Sequence, residues 1–341
     1  MHPNYKRKVN LIVKKYIYFF LGMMFVSSAF VGCNSADEES LVIYSGRSQY
    51  LINPILDSFA ESTGIDVQVR YGGSVDLALL IEEEGEKSPA DVYISKSPGP
   101  VAYLAERDLL SDLPEDVLAI SPGSDAGNWV AVSGRQRVLV YNRENVTESE
   151  LPESVFELTE AKWKGRLAIA PRNGSFQDFF TLFRLKHGDD VALDWLKQMV
   201  ANEVKVYANN NSIVQATARG EVDGGLVNHY YNARLKVENP DTPSANHRFV
   251  DGDSGSVTIA TVAGIIPGGN EKNAEKLIRF LLDTAAQQYF TDRTYEYPVL
   301  AGIESKHDLS KPPTIDFGDF NILGSGLERT LELIREAGFD I

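Results

Sequence analysis

A chain of 341 residues, 43% hydrophobic and 10% aromatic, is long enough for two domains and apolar enough to bury a sizeable core. It carries 48 acidic residues against 33 basic ones, a formal charge of −15. Binding a nucleic-acid backbone needs clustered Lys and Arg, so this balance argues against nucleic acid as the partner, whereas the acidic field favours the approach of cations.

At the N-terminus, Lys6, Arg7, Lys8, Lys14 and Lys15 precede an uncharged apolar run from Tyr16 to Val31. That is the pattern of a secretory signal, too short and wrongly flanked for a membrane span. The run ends at Cys33, the only cysteine, which has no internal disulfide partner in an exported protein. Gly32-Cys33 resembles the lipobox of bacterial lipoproteins, which implies lipidation at Cys33, although Phe30 stands where Leu is usual. The predicted signal is 1–33 and the polar stretch 34–40 is a tether. Removing the signal takes the charge to about −20, since it holds five basic residues and no acids.

The body opens with an apolar strand, Leu41 to Ser45. A helix follows, with Leu51, Ile52, Ile55, Leu56 and Phe59 on one face and Gly64 as its stop. Ile65 to Tyr71 alternates as a half-buried strand, completing a strand–helix–strand unit. A second helix carries Leu77, Leu80 and Ile81; Asp91 to Ser95 is a third strand, followed by a helical segment from Val101 to Arg107. After a Pro-, Gly- and Ser-rich connection (114–128), Trp129 to Ser133 and Val138 to Tyr141 are β-prone, and a crossover between lobes is placed here. Arg166 to Ala170 is a strand, followed by helices through Phe179, Leu182 and Phe183 and through Val191, Leu193, Trp195 and Leu196. Val204 to Val206 is a strand. Ser212 and Gln215 have capping-box spacing, so a helix is predicted to begin there and to end at Gly220. Val222 to Val227 then leads to Asn228-His229-Tyr230-Tyr231 and a helix-competent Asn232 to Leu235. Ser256 to Ala263 is a candidate return crossover. Helices with Leu277, Ile278, Leu281 and Leu282, and with Leu327, Leu331 and Ile334, close the chain.

Repeated βα units on an exported acidic chain predict an α/β protein of two lobes, with two crossover strands as the hinge. The boundaries expected are lobe 1 over 41–135 and 258–310, lobe 2 over 136–257, and a C-terminal segment, 311–341, packing on lobe 2. Ligands of such sheets bind beyond the carboxyl ends of the strands. Neighbouring tyrosines cannot share a helix face, and on a strand they point apart. At a strand-to-helix turn both phenol oxygens can converge, as hard donors for a hard cation such as Fe(III). The pair also fits two amphipathic aromatics at a lobe edge, bonded to water or backbone. An enzyme is not indicated: the chain has no His-Glu-x-x-His, no Gly-x-Ser-x-Gly and no P-loop. His187, His229, His247 and His307 lack metal-ligand spacing, and His229 is expected to support the site or lie at the surface.

Along nearly the whole body the sequence resembles the periplasmic ferric-iron-binding proteins of ABC transporters, which have the type II periplasmic-binding-protein fold. The residues that carry this are Tyr44-Ser45-Gly46-Arg47, Pro89-Ala90-Asp91-Val92, Val132-Ser133-Gly134-Arg135, Asn211-Ser212, Asn228-His229-Tyr230-Tyr231 and Thr294-Tyr295-Glu296-Tyr297-Pro298. The resemblance implies a monomer that captures Fe(III) between its lobes and delivers it to a permease and its ATPase. Tyr230 and Tyr231 are the implied metal ligands. A synergistic anion (carbonate, phosphate or citrate) is implied over Asn173, Gly174, Ser175, Asn211 and Asn228. Ser45, Arg47, Ser48, Tyr50 and Lys96 are candidate cleft residues. Many relatives place a His or a His-Tyr pair after the first strand, where Ser48 and Gln49 stand here. Others have a Glu after the third, where Lys96 stands. The first lobe therefore offers no evident ligand; Tyr50 or Asp76 is a candidate substitute, and Lys96 a candidate partner for the anion. The alternative on the same fold is a phosphonate or phosphorylated organic anion, which Arg47 and Lys96 favour.

Overall fold

Strand β4 runs without interruption from Trp129 to Asn142, buried along its whole length, and the rest of the chain is arranged on either side of it. The structure, a computed structural model, describes residues 40–121, 127–307 and 323–341, without the side chains of 323–325. The signal, Cys33 and the tether up to residue 39 lie outside the described residues. Among those described, no helix is long and apolar enough to cross a membrane.

The first half of β4 pairs antiparallel with β9 (Thr258–Ile265), from Trp129 opposite Gly264 to Gln136 opposite Thr258, with a bulge between Ala131 and Ser133. β9 continues antiparallel to β3 (Val92–Ser95), which is parallel to β1 (Ser40–Ser45), and β2 (Asp66–Tyr71) lies next to β1. The second half of β4 pairs antiparallel with β7 (Gly224–Asn228), placing Arg137 opposite Asn228. β7 is parallel to β5 (Leu167–Ile169), and β5 to β6 (Lys205–Val206). Two strands were not foreseen. β8 (Ser244–His247) and β10 (Tyr297–Pro298) each add to an edge of β4. The two β-prone runs read around Gly134 are thus one strand that leaves one sheet and enters the other.

Burial follows the same division. One apolar cluster draws on residues between Leu41 and Val132 and between Ala260 and Val299. The other two draw on residues between Val138 and Ile259, and one of these also takes in Leu333, Ile334, Ala337 and Phe339. Helix α1 (Gln49–Thr63) buries the predicted face of Leu51, Ile52, Ile55, Leu56 and Phe59 and stops at Gly64 in the left-handed conformation (φ 74°). Helix α2 spans Ser74–Glu84, α3 Pro98–Ala105 and α4 Glu115–Leu118. On the other side, α5 (Gly174–His187) and α6 (Asp189–Ala201) pack Phe179, Phe183, Trp195 and Leu196 together. α7 (Asn210–Ala218) starts two residues before the predicted Ser212, because the side chain of Asn209 takes the cap and accepts the Ser212 N–H at 3.0 Å. α8 spans His229–Glu238, so the tyrosines lie inside its first turn rather than ahead of it. α9 (Glu271–Leu281) buries Leu277, Ile278 and Leu281 as expected, each contributing about 1.5–3 kcal/mol on burial. α10 (Thr284–Arg293) was not anticipated; Asp283 caps it. α11 (Leu323–Glu336) lies against α5 and α6 and also against α3.

Candidate functional site

A cleft of about 300 Å³ lies beside the point where β4 passes from one sheet to the other. Its walls include Arg47, Ser48, Asp76, Lys96 and Arg135 on one side and Asn173, Gly174, Ser175, Asp178, Asn228, Tyr230 and Tyr231 on the other. Gly46 lets the loop after β1 close onto α2, since a Cβ there would stand 2.1 Å from Ser74 Oγ.

The tyrosines are brought together by the start of α8. Their rings stack with centroids 4.2 Å apart and planes 27° apart. Tyr230 is buried, and that burial pushes its phenol well above the ordinary value. The neighbouring Tyr231 adds to the shift, while Arg135 and Arg47 oppose it. Tyr230 is therefore a neutral phenol near neutral pH, and any cation that took its oxygen as a ligand would have to displace the proton.

His229 is neither a surface residue nor an open ligand. Its Nδ1 accepts the Gln136 N–H at 3.1 Å, so Nε2–H donates to the Tyr295 carbonyl at 2.9 Å. Burial pushes its pKa down to about 4, and its ring stacks on Tyr297 at 4.3 Å. The neutral ring ties the start of α8 to β4 and to Tyr295, whose φ of 62° is unusual for a side chain of this size. The next residue, Glu296, is fully buried; it accepts from Arg47 at 2.5 Å and also from Ser133 Oγ.

Asn173 caps α5, its Oδ1 accepting the Ser175 N–H at 3.1 Å and the Ser175 hydroxyl at 2.6 Å. Asn228 Oδ1 accepts from Arg137 at 3.1 Å. Asn211 is exposed and does not line the cleft. Its neighbour Asn210 turns inward instead, buried and donating to Ser175 Oγ at 3.1 Å. A step of one residue turns a helix by roughly 100°, which is why one asparagine of the triplet reaches Ser175 and the next does not.

Two further candidates fall away from the cleft. Ser45 is fully buried beneath it, its Oγ accepting the Arg47 N–H at 3.2 Å. Tyr50 is 58% exposed and absent from the lining; its hydroxyl accepts from Arg234 of α8 at 2.7 Å. It holds α1 to α8 rather than offering itself to a metal. Ser48 stands immediately before α1 at the cleft wall, its side chain making no capping hydrogen bond, and Asp76 lies in the first turn of α2.

Sequence reasoning did not single out Arg135, Arg137, Asp178 or Asn210 as site residues. Arg137 is fully buried, donating to Ser175 Oγ (3.4 Å), Asn228 Oδ1 and the Leu226 carbonyl (2.8 Å); burial pushes it down to about 9. Asp178 is buried too, pushed up to about 7 by that burial, with a Ser97 hydrogen bond, Arg135 and Arg137 opposing. The signal available was Arg135 and Arg137 two apart between two β-prone runs, hence on one face once the runs are joined as a single strand.

A two-lobed α/β fold with crossover strands and a polar cleft at the crossing is that of a hinged solute-binding protein. The profile of the bacterial extracellular solute-binding proteins matches residues 89–325, and the chain belongs to that family, one of transport proteins rather than enzymes. The major ferric iron-binding protein of Neisseria meningitidis serogroup B is 33% identical over 312 residues, 87% of this chain and 92% of its own. Iron-bound HitA from Pseudomonas aeruginosa superposes with a TM-score of 0.81 at 30% identity, covering 88% of this chain and 99% of that one. A Trichodesmium protein, IdiA or FutA, in complex with iron and citrate ligands, gives 0.75 at 27% identity over 88% of this chain and all of the other (100%).

Proposed function

We propose that this protein is the substrate-binding component of an ABC importer, which captures Fe(III) with the phenolates of Tyr230 and Tyr231 and a synergistic anion and passes it to a permease and its ATPase. The observation that carries this reading is the stacked tyrosine pair on the cleft wall, one ring buried beside arginines that favour its ionised form. Hard phenolate oxygens suit a hard trivalent cation, and the cation supplies the drive to remove their protons. A relative named as a ferric iron-binding protein, and solved structures with iron or with iron and citrate ligands, support the assignment.

The anion is assigned to the start of α5 (Asn173, Gly174, Ser175) and to Asn228, with Asn210 in the place first given to Asn211. Helix starts present backbone N–H groups and a favourable dipole to such a ligand. Export and tethering through a lipid on Cys33 complete the proposal, with the monomeric body held at the membrane surface. In competition dialysis against a ferric chelator the wild type is expected to retain stoichiometric iron, and Tyr230→Phe and Tyr231→Phe to retain none. A second reading, a phosphorylated or phosphonate organic anion, is favoured by Lys96 and Arg135 in the lining. Heat on adding a phosphonate, with none on adding ferric citrate, would decide for it.

A further inference from the structure

Helix α11 touches both halves of the molecule but is fixed to only one of them. It packs against α5 and α6, and also against α3. One stripe, Thr330, Leu333 and Ile334, is buried and runs on to Ala337; its apolar members belong to the cluster of α5 and α6. The polar contacts lead the same way. Thr330 Oγ1 meets Thr181 Oγ1 at 2.6 Å, Arg184 donates to the Gly326 carbonyl at 2.8 Å, and Arg329 pairs with Asp189 at 2.7 Å. Beyond the helix, Asp340 pairs with Arg172 at 2.7 Å. The chain has already returned through β9 to the first half when it reaches α11, so the helix makes a third link between the halves besides β4 and β9.

Towards α2 and α3 the contact is of another kind. Leu327 and Leu331, one turn apart, line a groove of about 650 Å³ with Val75 and Leu79 of α2 and Pro100 and Tyr103 of α3. Among the described residues no ion pair joins α11 to either helix. The two leucines are only half-buried, and Val75 and Leu79 are 39% and 48% exposed. A permanent core closes to crystal-like density, and this groove does not. Apolar surfaces that meet without polar bonds can part and meet again with no donor or acceptor left buried and unpaired. Leu327 and Pro100 also line the cleft, so the groove adjoins the place where the ligand is held. We infer that α11 is a latch between the lobes: it travels with the half that carries the tyrosines, and the seating of Leu327 and Leu331 against α2 and α3 holds the cleft walls together and slows release of the ligand. This rests on the two-lobed plan and not on the identity of the ligand.

Two measurements on the intact protein test this: small-angle scattering without ligand, and the rate at which preloaded ferric ion passes to a competing chelator. Leu331→Ala and Leu79→Ala cut the contact from its two sides. Each is expected to raise the radius of gyration and to speed release about 3- to 10-fold. Leu79 stands on the exposed side of α2, so its variant keeps the fold whatever becomes of Leu331→Ala. Val191→Ala removes an equally exposed apolar side chain on α6, away from the groove, and is expected to leave both readouts unchanged. A wild-type radius and release rate in Leu331→Ala and Leu79→Ala overturns the latch, as does an equal effect of Val191→Ala. Should the wild type take up no ferric ion, the metal assignment falls, and the scattering alone decides for or against the latch.

Discussion

Asp178 is a buried carboxyl at the cleft wall with an oxygen, Oδ2, that has no hydrogen-bond partner. Its folded value of about 7 lies above the unfolded value of about 3.9. A group raised in this way contributes its full share of stability below the unfolded value, and loses it as pH climbs from about 4 through about 7. Asp178→Asn is therefore expected to raise the unfolding free energy of the ligand-free protein at pH 8 by on the order of 1–3 kcal/mol, and to leave it nearly unchanged at pH 4. Urea denaturation at the two pH values checks this; an equal effect at both would show that the carboxyl does not titrate in the folded state. The tyrosines of the same cleft were legible in the sequence because adjacency is a local signal. The charge of Arg135, Arg137 and Asp178 was not, because a buried charge has meaning only once the fold shows what faces it. His229 is similar: its type was plain, but its two backbone partners come from β4 and from Tyr295, remote in sequence.

At the level of elements, the site depends on two helix starts being held close to β7. Gly225 makes this possible. A Cβ there would meet Ile213 Cγ2 of α7 at 2.4 Å and the Ala168 carbonyl oxygen of β5 at 2.9 Å. Gly225→Ala is expected to cost about 1–3 kcal/mol in urea denaturation. It should also weaken ferric binding, because Asn210 lies one turn before Ile213 and would be moved from Ser175. Wild-type affinity in a destabilised variant would show that α7 does not support the site. Most helices were readable, since apolar residues at helical spacing face the core wherever the chain packs. β4 was read as two pieces because Gly134 to Arg137 is polar, and in most strands such a stretch is a turn. Here it is the crossing itself; Arg135 lines the cleft, and Arg137 lies buried against Ser175 and Asn228. β8 gave no strand signal: Ser244 to His247 has little β-propensity and is a strand because β4 offers it an unpaired edge.

Taken whole, the molecule places one apolar cluster with the first half of β4 and two with its second half, and its cleft where β4 changes sheet. Tyr50 and Arg234 meet across that division, as do Ser97 and Asp178, so this is a cleft with its walls engaged. The general plan was accessible from alternating βα units and two β-prone runs; the contacts across the cleft were not, since they join residues with no common local pattern. The function proposed gives the cation to Tyr230 and Tyr231 and the anion to the helix starts. The most direct test is a ferric titration in the presence of citrate, followed in the visible region, on the wild type and on Tyr230→Phe. A saturating tyrosinate-to-iron charge-transfer band in the wild type, absent from the variant, is the predicted result. A colourless wild type, or a variant with an undiminished band, would contradict the account.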